Sequence, residues 1–184
     1  VIQSSAGSES TVTQNGDRAQ AFVDQQGSSG ASSTITQGTP GANPNDGQSF
    51  AYVSQTRGAS ESTIVQTGAF NNATNEQKGD SRSNITQNGT SNVAHVEQDG
   101  DGNASDITQT GSSNSIGTVV PNFDGDAGVK QFGNGNDSII TQSTDGTAPG
   151  ASALVTQTGD DSRSEITQKS DARATVTQTR TQEN

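Results

Sequence analysis

The chain of 184 residues contains no cysteine, methionine or tryptophan, and only one tyrosine and five phenylalanines. Without cysteine it can form no disulfide and offers no thiolate ligand to a metal. Nine Lys and Arg stand against 20 acidic residues, so the chain lacks the basic surface that nucleic acids require. No apolar run approaches the roughly 18 residues of a membrane helix. We therefore expect neither nucleic-acid binding nor membrane insertion.

Large apolar side chains are scarce as well. Leu, Ile, Val and Phe together make up 27 residues, and the formal charge is -11. Such a composition is typical of disordered chains, because so little apolar surface cannot offset chain entropy. These few residues nevertheless recur at regular intervals, which a disordered chain has no reason to maintain. The regularity indicates one small structural unit used many times.

The repeated unit is a five-residue pattern that recurs about every 11 residues: small residue, any, Val or Ile, any, Gln. Ser62–Gln66 and Ala94–Gln98 are typical copies. Uniform residue types at alternate positions predict a β-strand with a uniform buried face and a variable outer face. The predicted glutamine column consists of Gln14, Gln25, Gln37, Gln55, Gln66, Gln77, Gln87, Gln98, Gln109, Gln131, Gln142, Gln157, Gln168 and Gln178, with Gln3 before them.

A β-branched residue stands two positions before nearly every glutamine, and Asn75 is the exception. The predicted apolar core is Val12, Val23, Ile35, Val53, Ile64, Ile85, Val96, Ile107, Val129, Ile140, Val155, Ile166 and Val176. Strands stacked about 4.8 Å apart would let each glutamine amide donate to one neighbour and accept from the other. We interpret the glutamine column as a structural ladder, not a binding surface.

The small residue four positions before each glutamine alternates between Ser and Ala, which groups the strands in pairs. We predict an all-β fold, a cross-β two-sheet β-solenoid of seven strand-turn-strand rungs that polymerises into a fibre. The rungs are expected at residues 8–25, 31–55, 60–77, 81–98, 103–131, 136–157 and 162–178, with a partial strand at 1–3 and a tail at 179–184. Every long interval follows a Ser-type strand, so insertions at 38–48, 110–124 and 143–150 are predicted as loops on one edge. Asn114–Val120 is interpreted as loop, since a strand there would break the alternation.

The end rungs keep the same pattern as the interior ones. Open strand edges can recruit another molecule, and most solenoids cover theirs. We therefore predict that copies of the chain stack end to end. The predicted contacts are Val1, Gln3, Val12 and Gln14 at one end, and Ile166, Gln168, Val176 and Gln178 at the other.

The units resemble the curlin repeats of bacterial curli fibres, in which Ser, Gln, Gly, Asn, Ala and Gln occur at fixed spacing. One unit matches at Ser60, Gln66, Gly68, Asn71, Ala73 and Gln77, and the next at Ser81, Gln87, Gly89, Asn92, Ala94 and Gln98. The resemblance covers nearly the whole chain, although Ala19 and Ala172 replace the expected Asn and Ala31 replaces the expected Ser. It implies a secreted subunit of an extracellular functional amyloid that serves biofilm matrix and adhesion. The implied partners are further copies of the chain, a nucleator subunit and an outer-membrane secretion pore.

A column of threonines suggests an alternative function. Six of the seven Ser-type strands carry threonine at the same outward position, namely Thr13, Thr36, Thr86, Thr108, Thr141 and Thr167. Regular threonine arrays on solenoids resemble ice-binding proteins, but threonine also simply suits an exposed strand. The adjacent outward column is not uniform, which disfavours ice binding. A third hypothesis is a repeat stalk of a larger secreted adhesin, with Val1–Gln3 as the tail of an upstream repeat.

Signals of site chemistry are weak. His95 is predicted on the outer face with no second His or Cys nearby, so we interpret it as a surface residue. Asp99–Asn103 resembles a calcium loop only faintly, because the nonapeptide calcium repeat has a different period. No nucleophile motif flanks the Ser, His and Asp residues. We expect no enzyme activity, no metal and no cofactor.

Overall fold

The computed structural model describes residues 1–4, 6–15, 18–27, 29–38, 48–112, 115–116, 128–144, 151–169 and 172–180. Within these ranges the chain forms strands and turns, and none of it forms a helix long and apolar enough to cross a membrane. The strands are β1 (Ile2–Gln3), β2 (Glu9–Gln14), β3 (Gln20–Gln26), β4 (Ser32–Gln37), β5 (Phe50–Thr56), β6 (Glu61–Ala69), β7 (Asn72–Lys78), β8 (Arg82–Thr90), β9 (Val93–Asp99), β10 (Ala104–Ser112), β11 (Ser115–Ile116), β12 (Val129–Phe132), β13 (Asp137–Ser143), β14 (Ser152–Thr158), β15 (Arg163–Lys169) and β16 (Arg173–Thr179).

The strands form two parallel sheets, and the chain alternates between them. The first, which we call the Ser sheet, has seven strands in the order β2-β4-β6-β8-β10-β13-β15. The second, the Ala sheet, has nine strands and runs from β1 through β3, β5, β7 and β9 to β11, β12, β14 and β16. Seven passes through the Ser sheet make six full turns between its first and last strands. The prediction of an all-β, two-sheet β-solenoid is confirmed.

Neighbouring strands are in register, with like residues side by side. Between β6 and β8, Ile64 lies opposite Ile85 and Gln66 opposite Gln87. A shift of one residue would turn every inward side chain to solvent, and the alternating pattern therefore fixes the register. The result is a set of continuous columns, one residue type per column, running along the solenoid axis.

The core consists of the β-branched column of each sheet together with the small residues beside it. Eleven of the predicted core residues are buried: Val23, Ile35, Val53, Ile64, Ile85, Val96, Ile107, Val129, Ile140, Val155 and Ile166. Val12 and Val176 are only partly buried, because they belong to the first and last complete rungs and have a neighbouring row on one side only.

One row of the Ala sheet differs from the predicted arrangement. Ser115–Ile116, predicted as loop, is a strand that pairs with both β9 and β14, and β12 continues the same row between the same two neighbours. Ile116 lies opposite Ala94 and Ala153, at the register position where the pattern placed Ala127. The insertion is therefore accommodated inside a row, because the short strand before it still finds backbone partners on both sides.

Parts of the other predicted features lie outside the described residues. These are residues 39–47, 113–114, 117–124 and 145–150 of the predicted loops, residues 125–127 of the fifth predicted rung, which include Ala127, and residues 181–184 of the tail.

Asn75 interrupts the β-branched column and is completely buried. Its Nδ2 donates a 2.7 Å hydrogen bond to Ser62 Oγ, while its Oδ1 has no partner within the described part of the chain. A buried polar atom without a partner is destabilising, because its hydration is lost and not replaced.

We expect Asn75→Val to raise the free energy of unfolding by about 1 kcal/mol, because it removes the unpaired oxygen and restores the column, a gain partly offset by the loss of the bond to Ser62 Oγ. Chemical denaturation followed by circular dichroism measures the change. Thr74→Val, on the outer face of the same strand, is the control and should stay within about 0.5 kcal/mol of the parent. Equal effects of the two substitutions would contradict the prediction.

Candidate functional site

The glutamines form two unbroken ladders, one in each sheet. In the Ala sheet the chain of amides runs through Gln3, Gln25, Gln55, Gln77, Gln98, Gln131, Gln157 and Gln178, with Nε2 to Oε1 distances of 2.7–3.0 Å. In the Ser sheet it runs through Gln14, Gln37, Gln66, Gln87, Gln109, Gln142 and Gln168 at 2.8–3.0 Å. In every step the amide nearer the N-terminus donates. Both ladders therefore have the same direction.

In most of the ladder amides the second hydrogen ties the two sheets together. Gln87 Nε2 donates to the main-chain oxygen of Asn72 at 2.9 Å, and Gln98 Nε2 to that of Arg82 at 3.1 Å. Each donor and its acceptor lie in opposite sheets, so the ladders join the sheets across the core. Glutamine is well suited to this position, because its amide supplies two donors and one acceptor, and all are used.

Burial of the predicted ladder follows position along the axis. Gln3 and Gln14 are exposed and Gln178 is half-buried, whereas the twelve residues from Gln25 to Gln168 are buried. The exposed Gln3 and Gln14 lie at the end that carries the half-buried Val12, and the half-buried Gln178 and Val176 lie at the other end. The structure thus places all eight predicted end-contact residues in the terminal rows or in the segment that begins at Val1.

Buried asparagines at the turns form shorter ladders that the pattern of glutamines did not reveal. Asn92 donates through both its main-chain nitrogen and its Nδ2 to Asn71 Oδ1 at 3.1 Å. In the opposite turn, the main-chain nitrogen of Asn136 donates to Asn103 Oδ1 at 3.0 Å. Each Asn lies one residue before a strand, and this spacing was the signal available in the sequence. These residues satisfy backbone groups where the chain crosses from one sheet to the other.

Glycines next to these asparagines permit the close stacking of turns. Gly100 has a φ of +125°, and a Cβ added there would overlap the carbonyl oxygen of Gly133 in the next rung. Gly102, in the same turn, has a φ of +68°, and its added Cβ would meet its nearest atom, Gly135 N, at an ordinary 3.6 Å. Glycine is required at Gly100 for two reasons, the positive φ and the close approach of the backbone of the next rung.

Charged side chains lie on the outside and pair between rungs. Arg82 Nη2 lies 3.6 Å from an oxygen of Asp106, and Lys130 Nζ lies 3.9 Å from Glu97. The exposed Arg82–Asp106 pair contributes about 0–1 kcal/mol, whereas the side chains of Lys130 and Glu97 are partly buried. These ion pairs reduce the repulsion between like charges on neighbouring rungs, but they are not the main source of stability.

His95 lies half-buried on the outer face of the Ala sheet, opposite Thr74 and one row from Glu76 and Lys130. Burial lowers the pKa of His95 below its usual 6.5, and the charge of Lys130 lowers it further, while Glu76 and Glu97 act in the opposite direction. The imidazole is thus held neutral near pH 7.

The other sequence signals give no composite site. Among the described residues no cluster of three or more His, Asp or Glu side chains could hold a metal ion. In the faint calcium-loop segment, Asp101 Oδ1 accepts a 3.0 Å hydrogen bond from the main chain of Asp80. The threonine column is in register from Thr86 to Thr167, but Val65 interrupts it, and the neighbouring column mixes polar, apolar and charged residues.

The fold and its columns define a structural β-solenoid. Residues 84–119, which span most of β8 through β11, match the family model of the curlin associated repeat, consistent with the curlin-repeat family. The resemblance predicted from the sequence is therefore confirmed for this segment, about a fifth of the chain. Comparisons with curated proteins and with solved structures find no match.

We expect Gly100→Ala to lower the free energy of unfolding by about 3 kcal/mol or more, since it combines a forbidden φ with overlap against the next rung. Gly102→Ala is the matched control, for which only the left-handed backbone costs about 1–2 kcal/mol. Thermal melts of both variants provide the measurement. A Gly102 variant as unstable as the Gly100 variant would show that stacking distance is not the cause.

The lowered pKa of His95 gives a pH dependence with a definite sign. The unfolded chain takes up a proton below about pH 6.5 while the folded chain resists it, so this contribution to stability is lost as pH falls. Between pH 7.5 and pH 5 we expect the parent to lose more stability than His95→Thr, in which a neutral residue matches Thr74. Melting midpoints at both pH values test this, and equal losses in the two proteins would refute it.

Proposed function

We propose that the protein is a structural subunit of an extracellular functional amyloid fibre of the curli kind, and that it assembles end to end with copies of itself. The β-solenoid fold and the curlin repeat are structural rather than catalytic features. We further propose that one end of this solenoid binds the opposite end of another copy.

The observation that carries the proposal is the complementarity of the two ends. Within the described residues no donor reaches Oε1 of Gln14, whereas Gln168 Nε2 has one of its two hydrogens engaged, by Ser152 O at 3.0 Å. The Ser-sheet ladder therefore has an open acceptor at its first rung and an open donor at its last. A second copy stacked in register would continue the ladder from Gln168 to Gln14, with Ile166 beside Val12.

Charge on the outer face supports the same alignment. In register, Arg163 of one copy would lie beside Glu9 of the next, as it now lies beside Asp137 at 3.6 Å. A head-to-head contact would instead oppose two acceptor ends and make the strands antiparallel. The geometry favours head-to-tail stacking.

The family resemblance supports the wider role. It favours secretion through an outer-membrane pore, help from a nucleator subunit, and a contribution of the fibre to biofilm matrix and adhesion. At one end of the solenoid the proposed contacts are Val12 and Gln14, with Val1 and Gln3 lying beside them. At the other end they are Ile166, Gln168, Val176 and Gln178.

Cryo-electron microscopy of purified protein held at neutral pH for a day tests the function. Unbranched fibres with a repeat of about 4.8 Å along the axis are expected. A protein that stays monomeric with a solenoid-like β signal would overturn the proposal and favour the ice-binding or the stalk hypothesis. A measurement of thermal hysteresis would then distinguish these two hypotheses.

Elongation should stop when the terminal core residue carries a charge. Val176→Asp places a carboxylate where the next copy would bury it without a partner, a cost of several kcal/mol, and should abolish seeded growth. Thr175→Asp, on the outer face of the same strand, places the same charge on the solvent side of the junction, opposite Phe22 of the next copy, and should slow growth only slightly. Seeded elongation followed by light scattering measures both, and normal growth of the Val176 variant would refute end-to-end stacking.

A further inference from the structure

Within the described residues, the two sheets do not contain the same number of rows. The Ser sheet has seven, from β2 to β15. In the Ala sheet β11 and β12 share one row, which leaves eight rows from β1 to β16. Each complete rung supplies one strand to each sheet, so the additional row is β1, the two-residue strand Ile2–Gln3.

This extra row matters for the end-to-end assembly proposed above, on which the present inference rests. A junction that continues both sheets requires β2 of one copy on β15 of the other, and β3 on β16. If β1 stays in place, β16 can reach only β1, and β15 and β2 are then separated by two strand spacings, about 9.6 Å. The Ser sheet would lack one strand at every junction. Strand β1 and the β16 of a second copy therefore compete for the same edge.

The contacts of β1 are those that a second copy would supply. Gln3 Nε2 donates to Gln25 Oε1 at 2.7 Å, and Ser4 N donates to Gln25 O at 3.0 Å. Gln178 occupies the equivalent place at the last row of the same ladder, where its Nε2 donates to Arg163 O at 2.9 Å and keeps a second hydrogen that no described residue accepts. By register, Gln178 and the main-chain nitrogen after it would take both acceptors of Gln25.

Strand β1 holds this edge weakly. It pairs two residues with β3, opposite Asp24 and Gln25, and no other described strand pairs with the first half of β3 on that side. Ile2 is 62% exposed and Phe22, in the uncovered half, is 52% exposed. By comparison β16 pairs seven residues with β14. A second copy would thus replace a short pairing by one of full length and cover Phe22.

We infer that Ile2–Gln3 is a detachable cap on the N-terminal edge of the Ala sheet. In the monomer it occupies the donor position above Gln25. This segment dissociates from β3 when β16 of a second copy pairs with β3. Val1 and Gln3 therefore cover the edge in the monomer and make no contact across the junction in the fibre.

The axial repeat of the fibre distinguishes the two arrangements. With the cap displaced, each subunit contributes seven rows, a repeat of about 34 Å. With the cap retained it contributes eight, a repeat of about 38 Å. Cryo-electron microscopy of fibres resolves this difference. The longer repeat would overturn the inference while leaving end-to-end assembly intact, whereas an absence of fibres would overturn the proposed function and the inference with it.

A covalent lock tests the displacement directly. Ile2 and Asp24 lie opposite one another on the outer face, and neighbouring strands about 4.8 Å apart can accept a disulfide. The chain has no cysteine of its own, so Ile2→Cys combined with Asp24→Cys gives one defined bond. The oxidised variant should elongate at least about tenfold more slowly than its reduced form, since the tether keeps the edge occupied.

Thr156→Cys combined with Thr177→Cys is the matched control. It locks β16 to β14, a pairing that assembly leaves unchanged, so oxidation should not alter its growth. Equal growth of the oxidised and reduced forms of the Ile2–Asp24 variant would refute the cap.

Discussion

The structure depends on the in-register stacking of like residues, and the side-chain amide ladder is its clearest expression. A glutamine amide in the core must satisfy two donors and an acceptor, and only an identical amide above and below does this repeatedly. Gln66 illustrates the arrangement, as it accepts from Gln37, donates to Gln87 and uses its other hydrogen on Phe50 O. Parallel, in-register strands and close-packed glycine turns both follow from the need to keep such amides aligned.

This arrangement explains how so polar a chain folds. Each rung buries two β-branched side chains, worth about 1.5–3 kcal/mol apiece, which is too little for an isolated rung. Stacking lets each rung share its hydrogen bonds and apolar contacts with two neighbours, so stability resides in the interfaces between rungs. The first and last rungs have one such interface, which is why Val12 and Val176 are less buried than Ile64 or Val96.

Most of the fold could be predicted because the strand period and the buried pattern coincide at every rung. The alternation of Ser and Ala before each Gln was enough to separate the two sheets. The split row at Ile116 was not predicted, because its sequence lacks the closing Gln and a strand there breaks the alternation of Ser and Ala. The partner of Asn75 and the common direction of the ladders depend on side-chain rotamers, which no single-sequence pattern encodes. The turn asparagines, such as Asn71, were visible as a motif, but their role needed the geometry.

The shared direction of the two ladders also gives the molecule an electrical character. A side-chain amide resembles a peptide unit, whose dipole is about 3.5 D, and amides aligned head to tail add along the axis. From Gln25 to Gln157 the dipoles point the same way as those from Gln37 to Gln142. The solenoid is therefore an extended dipole, positive at the β16 end and negative at the β1 end. Any filament of such units would have two faces of opposite potential, and ions or surfaces that meet it would distinguish one tip from the other.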